Sequence, residues 1–170
     1  IPLLARVGAT GSVCSLDISE ESVAALRQAA GNASNLSAVA ADMGDLENVI
    51  ENVFPCKQYD LAQSSYALYY SPNRLQVLDV MRGHLKAEGR LAVFTPNRPH
   101  GMVEVARRLG PIPAEIDDSI GFGPSVLEPY FRANFWNVVV HFFHNVISVP
   151  SVEDAITFYR STTYYREDLE

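Results

Sequence analysis

Gly11-Ser12-Val13-Cys14-Ser15-Leu16-Asp17-Ile18-Ser19 is the stretch that decides the fold class. Its short, mostly apolar centre, with a glycine before it and a helix-capping serine after it, has the pattern of a short buried strand ending near Asp17. Ser19 can cap a following helix, and Glu20 and Glu21 fall in the first turn, where the helix dipole favours negative charge. Val23, Leu26 and Ala30 then mark an inner helical face, and Gly31 ends it.

The same unit recurs downstream. Leu36 to Asp42 reads as a second strand, again with an aspartate at its end, and Leu46, Val49, Ile50 and Val53 predict a short amphipathic helix stopped by Pro55. Tyr59 to Ser65 reads as a third strand, followed by the aromatic loop Tyr66 to Tyr70. Leu75, Leu78, Met81 and Leu85 mark a third helix, Lys86 to Gly89 a turn, and Arg90 to Thr95 a fourth strand. Upstream, Ile1 to Gly8 reads as the tail of a helix, and Gly8-Ala9-Thr10-Gly11 as the turn into the first strand. Strands alternating with amphipathic helices predict an α/β fold, a Rossmann-like three-layer sandwich with a mostly parallel sheet.

Beyond Thr95 the pattern loosens. Prolines and glycines from Pro96 to Pro129 leave one expected helix, around Met102 to Leu109. Phe135 to Val149, rich in β-branched and aromatic residues, reads as a long strand, bent near His144-Asn145. Val152 to Ser161 reads as a helix capped by Ser151, and Tyr164 to Glu170 as an interrupted one. No linker separates two domains. One domain is therefore expected over 1–170, with a cofactor-binding core at 1–100, an irregular and helical acceptor-side insertion at 101–134 and a strand and helix at 135–170.

The totals narrow the function. A net charge of -7, with Lys57 and Lys86 the only lysines among 13 basic residues, disfavours nucleic acid, whose phosphates require clustered positive charge. No apolar run approaches the roughly 20 residues of a membrane span, and no secretory signal opens the chain. Cys14 and Cys56 have no metal-ligand spacing and read as small apolar side chains in a reducing compartment. A cytoplasmic protein without a metal is expected.

In open α/β sheets, ligands bind outside the carboxyl ends of the strands. Asp17 ends one strand, where a carboxylate can accept bonds from both hydroxyls of an adenosine ribose. Asp42 and Met43 end the next, where the carboxylate can meet an adenine amino group and Met43 can pack on the ring. Ser64, Ser65 and Tyr66 end the third. Each aspartate also has a plainer reading as a turn former or helix cap; two in succession, followed by a polar and aromatic strand end, favour an adenosine site.

Gly11 to Ser19 resembles the second-strand motif of class I S-adenosylmethionine-dependent methyltransferases, including the Asp-Ile-Ser ending of small-molecule members. Tyr59 to Tyr70 resembles their fourth-strand motif, and His84 to Leu91 their turn before the fifth strand, although Ala87 and Glu88 depart from its commonest letters. The resemblance covers residues 1–100, and less closely Phe135 to Ser161, with the string Tyr159-Arg160-Ser161-Thr162. It implies S-adenosylmethionine as cofactor, with Asp17 on the ribose, Ile18 on the adenine face, Asp42 and Met43 at the adenine edge, and Ser64, Ser65 and Tyr66 near the methionine portion. It also implies a small-molecule methyl acceptor near Tyr69, Tyr70, Asn97 and His100. The family's first strand and acidic glycine-rich loop have no counterpart in these residues, so the fold is expected to be incomplete at the N-terminus and also at the C-terminus. The 170-residue chain alone is expected to bind the cofactor poorly and to have little activity.

Methyl transfer requires positioning of donor and acceptor more than it requires a nucleophile or metal. His100 is the best-placed base for a hydroxyl acceptor, against a plainer reading as a solvated loop histidine; His141 and His144 read as structural. Two other readings stay open: an NAD(P)-dependent Rossmann oxidoreductase, and a non-catalytic methyltransferase-like module that binds a partner. Against the oxidoreductase, no Tyr-x-x-x-Lys pair follows the third strand, since Tyr66 is followed by Tyr70 and Tyr69 by Asn73.

Overall fold

The computed structural model describes residues 2–146 and 148–161, and its chain divides into two compact units, Ile1–Phe94 and Thr95–Glu170. In the first unit the order is α1 (Pro2–Val7), β1 (Val13–Asp17), α2 (Glu20–Ala30), β2 (Leu36–Ala40), α3 (Leu46–Asn52), β3 (Tyr59–Ser65), α4 (Arg74–Gly83) and β4 (Leu85–Phe94). The fold is α/β and Rossmann-like, with parallel strand pairs and intervening helices.

β1 pairs in parallel with β2, from Val13 opposite Leu36 to Asp17 opposite Ala40. β3 pairs in parallel with β4, from Leu61 opposite Arg90 to Ser65 opposite Phe94. These are two separate two-stranded sheets, and β1 and β3 share no ladder among the described residues. The mostly parallel, incomplete sheet expected from the sequence is thus present as two half-sheets: a parallel ladder needs a neighbouring strand for its backbone groups, and no described strand bridges β1 and β3.

One helix packs on strands of both pairs. Val49, Ile50 and Phe54, in α3 and just after it, are buried against Cys14 and Leu16 of β1, Val39 of β2, Tyr59 of β3 and Val80 of α4. Burying each of these side chains contributes about 1.5–3 kcal/mol. The Lys57 ammonium closes the carboxyl end of α3, donating to the carbonyls of Ile50, Glu51 and Phe54, where the helix dipole favours a cation. α3 ends at Asn52, so Val53, expected on its inner face, is half exposed instead.

Local chemistry sets the other boundaries. The Ser19 hydroxyl accepts the Ser22 amide at 3.1 Å and starts α2. Gly8 takes φ 68°, and a Cβ on Gly11 would lie 2.6 Å from the Val7 carbonyl oxygen, so the turn from α1 into β1 requires glycine. Leu85, expected at the end of α4, opens β4 instead. The expected turn at Lys86 to Gly89 is absorbed into that strand as an irregularity, because register jumps from Tyr59 opposite Leu85 to Leu61 opposite Arg90. Leu75 is half exposed, and Val77, Leu78 and Met81 form the buried face of α4.

The second unit departs further from expectation. Besides α5 (Gly101–Leu109), it holds α6 (Ala114–Phe122), a π-helical turn (Gly123–Leu127) and α7 (Glu128–Asn134), where the sequence predicted one helix only. Pro113 precedes α6, and Pro124 and Pro129 fall in the first two positions of the π-helical turn and of α7. Ile120, Phe122 and Leu127 are buried. The long strand expected over Phe135 to Val149 is absent from its described residues. No strand pairs with them, and Trp136 and Phe143 are 91% and 79% exposed; strand propensity without a ladder partner does not make a strand. α8 (Val152–Arg160) is capped by the Ser151 hydroxyl, which accepts the Asp154 amide at 3.0 Å. The interrupted helix expected over Tyr164 to Glu170, and Thr162 of the tyrosine-arginine string, lie outside the described residues. No helix among the described residues is long and apolar enough to cross a membrane.

Candidate functional site

The β1–β2 pair brings four of the predicted residues to one end. Asp17 is the last residue of β1, opposite Ala40, and its carbonyl accepts the Ala41 amide at 3.0 Å. Asp42 follows one residue later. Asp17 and Asp42 are therefore carried by neighbouring parallel strands at the same carboxyl end.

Both side chains are exposed and held alike. One Asp17 oxygen accepts the Ser19 amide at 2.9 Å, and one Asp42 oxygen accepts the Gly44 amide at 2.6 Å. These turns are the plainer role open to an aspartate after a strand. Each fixes its carboxylate through one oxygen and leaves acceptor capacity on the other. A Cβ on Gly44 would lie 3.0 Å from that Asp42 oxygen, so glycine lets the loop fold closely around the carboxylate. Ile18, next to Asp17, is 73% exposed, an apolar surface adjoining a hydrogen-bond acceptor. Met43 lines a shallow cleft between the starts of α3 and α4, with Leu46, Asn73, Gln76 and Val77.

The β3–β4 pair carries the second group. Ser64 lies opposite Val93 and Ser65 opposite Phe94, and the Gln63 amide donates to the Ser65 hydroxyl at 2.9 Å. Tyr66 donates its backbone N–H to the Phe94 carbonyl at 2.9 Å and takes φ 52°. A left-handed backbone at a bulky residue is sparsely populated, and such residues cluster at functional sites. Its ring is exposed. Tyr69 and Tyr70 follow with ring centroids 4.5 Å apart. Burial, then a hydrogen bond with Tyr70, pushes the Tyr69 hydroxyl above its ordinary pKa.

Asn97 and His100 belong to the second unit. Asn97 lies in the irregular stretch before α5, and His100 is the residue that caps this helix, its carbonyl accepting the Glu104 amide at 3.0 Å. The same unit holds an ion-pair cluster that sequence reasoning missed. Asp117 accepts Arg98 at 2.7 Å and also accepts Arg107, which bonds Glu104 at 3.1 Å. The Arg98 hydrogen bond, with the charges of both arginines, holds the Asp117 carboxyl below its usual range. A cleft beside it is lined by Arg98, Ala114, Asp118, Gly121 and Ser125. Asp117 in a first helical turn carries a helix-dipole signal, but no spacing rule connects it to Arg98 across a proline-rich loop.

Residues 2–121 match the family described as a methyltransferase domain. No curated protein matches the chain.

Proposed function

We propose that this chain, which belongs to the methyltransferase domain family, serves transfer of a methyl group from S-adenosylmethionine to a small-molecule acceptor. The observation that carries this reading is the pair Asp17 and Asp42, pinned by their own loops at one end of adjacent parallel strands. The donor set fits the cofactor's nucleoside. An ionised carboxylate only accepts hydrogen bonds, which suits ribose hydroxyls at Asp17 and an amino group at Asp42. Ile18 and Met43 supply apolar surface beside those acceptors for the two faces of a base.

S-adenosylmethionine, when bound, supplies the methyl group already activated. The residues here are assigned to binding and orientation, which govern the rate when no protein nucleophile is needed. Ser64, Ser65 and Tyr66 are assigned to the methionine portion, and Tyr69 and Tyr70 to the acceptor. The acidic charge of -7 disfavours a nucleic-acid acceptor. The proposed setting is the cytoplasm.

The oxidoreductase alternative uses the same two aspartates but lacks its lysine, since Asn73 and Tyr70 stand four residues after Tyr69 and Tyr66. Thermal shift separates the two, because a ligand that binds only the folded state raises Tm. At concentrations high enough to populate a weak complex, S-adenosylhomocysteine is expected to stabilise the protein and NAD to leave it unchanged. Stabilisation by NAD alone would overturn the assignment.

A further inference from the structure

Cys14 and Cys56, distant in sequence, meet at the amino end of the first unit's strands. Cys14 is the second residue of β1, and Cys56 lies in the loop between α3 and β3. The Cys14 thiol adjoins the Cys56 backbone and the Tyr59 hydroxyl, and Cys14 and Tyr59 pack on the same Val49, Ile50 and Phe54 cluster. That hydroxyl donates in turn to the Cys56 carbonyl at 2.6 Å. The Ser12 hydroxyl, two residues before Cys14, lies 3.4 Å from the Cys56 sulfur. Both cysteines are partly exposed and carry free thiols. Ser12, Cys14, Cys56 and Tyr59, from the start of β1 and the entry to β3, thus form one polar cluster, where no backbone ladder joins the two strands.

We propose that Cys14 and Cys56 are a fold-assembled dithiol that closes to a disulfide under peroxide-class oxidants, tying β1 to the entry of β3. The Cys56 thiolate attacks one oxygen of hydrogen peroxide. The O–O bond breaks, one oxygen leaves as water after protonation, and the other stays on Cys56 as a sulfenic acid. The Cys14 sulfur then attacks the Cys56 sulfur. The S–S bond forms, the S–O bond breaks, and the hydroxide leaves as water with the Cys14 proton. Two thiols and one peroxide give one disulfide and two waters, with two electrons passing from sulfur to oxygen. The order follows from burial, which pushes the Cys14 thiol up and starves it of thiolate, so that it resolves the sulfenic acid instead of forming one. The bond lies at the end of β1 opposite Asp17, and the proposal does not rest on the methyl-transfer reading.

The test treats the purified 170-residue chain with hydrogen peroxide, natively and in urea, and follows free thiols, intact mass and peptide mapping. In the native protein both thiols are expected to disappear together with loss of two hydrogens in mass. A peptide containing Cys14 should be joined to one containing Cys56, and a thiol reductant should reverse the change. The oxidised form should melt at a higher temperature, since the link closes a long loop. Cys14→Ser should leave Cys56 to gain oxygen, and Cys56→Ser should leave Cys14 largely reduced. Urea should slow the linkage at least tenfold, because only the fold holds the sulfurs together. Oxygen uptake at both sulfurs without a link, or equal linkage rates with and without urea, would overturn the proposal.

Discussion

The Ala41 amide donates to the Asp17 carbonyl at 3.0 Å, which fixes Asp42 one residue beyond the last rung that Asp17 closes with Ala40. The two carboxylates are tied to each other through the sheet. Each then turns back to accept an amide two residues ahead, Ser19 or Gly44.

Removing the first carboxylate should therefore cost ligand without costing the sheet. In a version of the protein that also carries the family's glycine-rich loop, Asp17→Ala is expected to weaken S-adenosylmethionine binding by about 1.5–3 kcal/mol, the scale of hydrogen bonds to a charged group, or about 10- to 150-fold in Kd. Calorimetry on the variant and the parent checks this. Unchanged affinity would leave Asp17 with its turn-forming role alone.

α3 predicts where stability resides. Ile50 is 4% exposed in a cluster that reaches β1, β2 and β3. Ile50→Ala should cost about 2–5 kcal/mol, as large-to-small core substitutions do. Urea unfolding measures it. Val53→Ala, just past the helix and half exposed, should change stability by less than about 1 kcal/mol.

Tyr59 gives an alkaline limit. Burial, then the hydrogen bond with Cys14, raises its hydroxyl above the ordinary value. The folded state therefore keeps its proton where the unfolded state loses it, and stability should fall as pH rises above about 10. Tyr59→Phe should flatten that limb in Tm measured against pH.

Asp117 gives an acid limit of opposite sign. Its folded carboxyl is held below the ordinary value by Arg98 and Arg107. Its stabilisation is present above the unfolded carboxylate pKa, about 3.9, and is lost as pH falls through the folded one. Asp117→Asn should lower Tm at neutral pH and shrink the difference from the parent in acid.

Sequence pattern located β1 and β3 closely because each is a short run bounded by turn-forming residues, and it placed Asp17 at a strand end. It carried β2 two residues too far, because Ala41 continues the apolar run and Asp42 was read as the strand's end, although the chain has already entered the Asp42 turn. The split into two strand pairs was legible not in periodicity, which describes single elements, but in the family resemblance, which left no strand to stand between β1 and β3. Phe135 to Val149 shows the same limit, since its β-branched and aromatic residues encode a preference that only a partner strand realises. The proximity of Cys14 and Cys56 and the Asp117 cluster are long-range contacts with no local signature. The strained φ of Tyr66 lay equally beyond reading, although the residue itself did not.

The central claim is that the Asp17 and Asp42 loops form one nucleoside site. Titration of isotope-labelled protein with S-adenosylhomocysteine, followed by backbone amide NMR, tests it most directly and detects even weak binding. The amides of Asp17 to Ser19 and of Asp42 to Gly44 should shift together along one saturation curve, and NAD should leave them in place. Shifts confined to other residues, or the same shifts produced by NAD and not by S-adenosylhomocysteine, would contradict it.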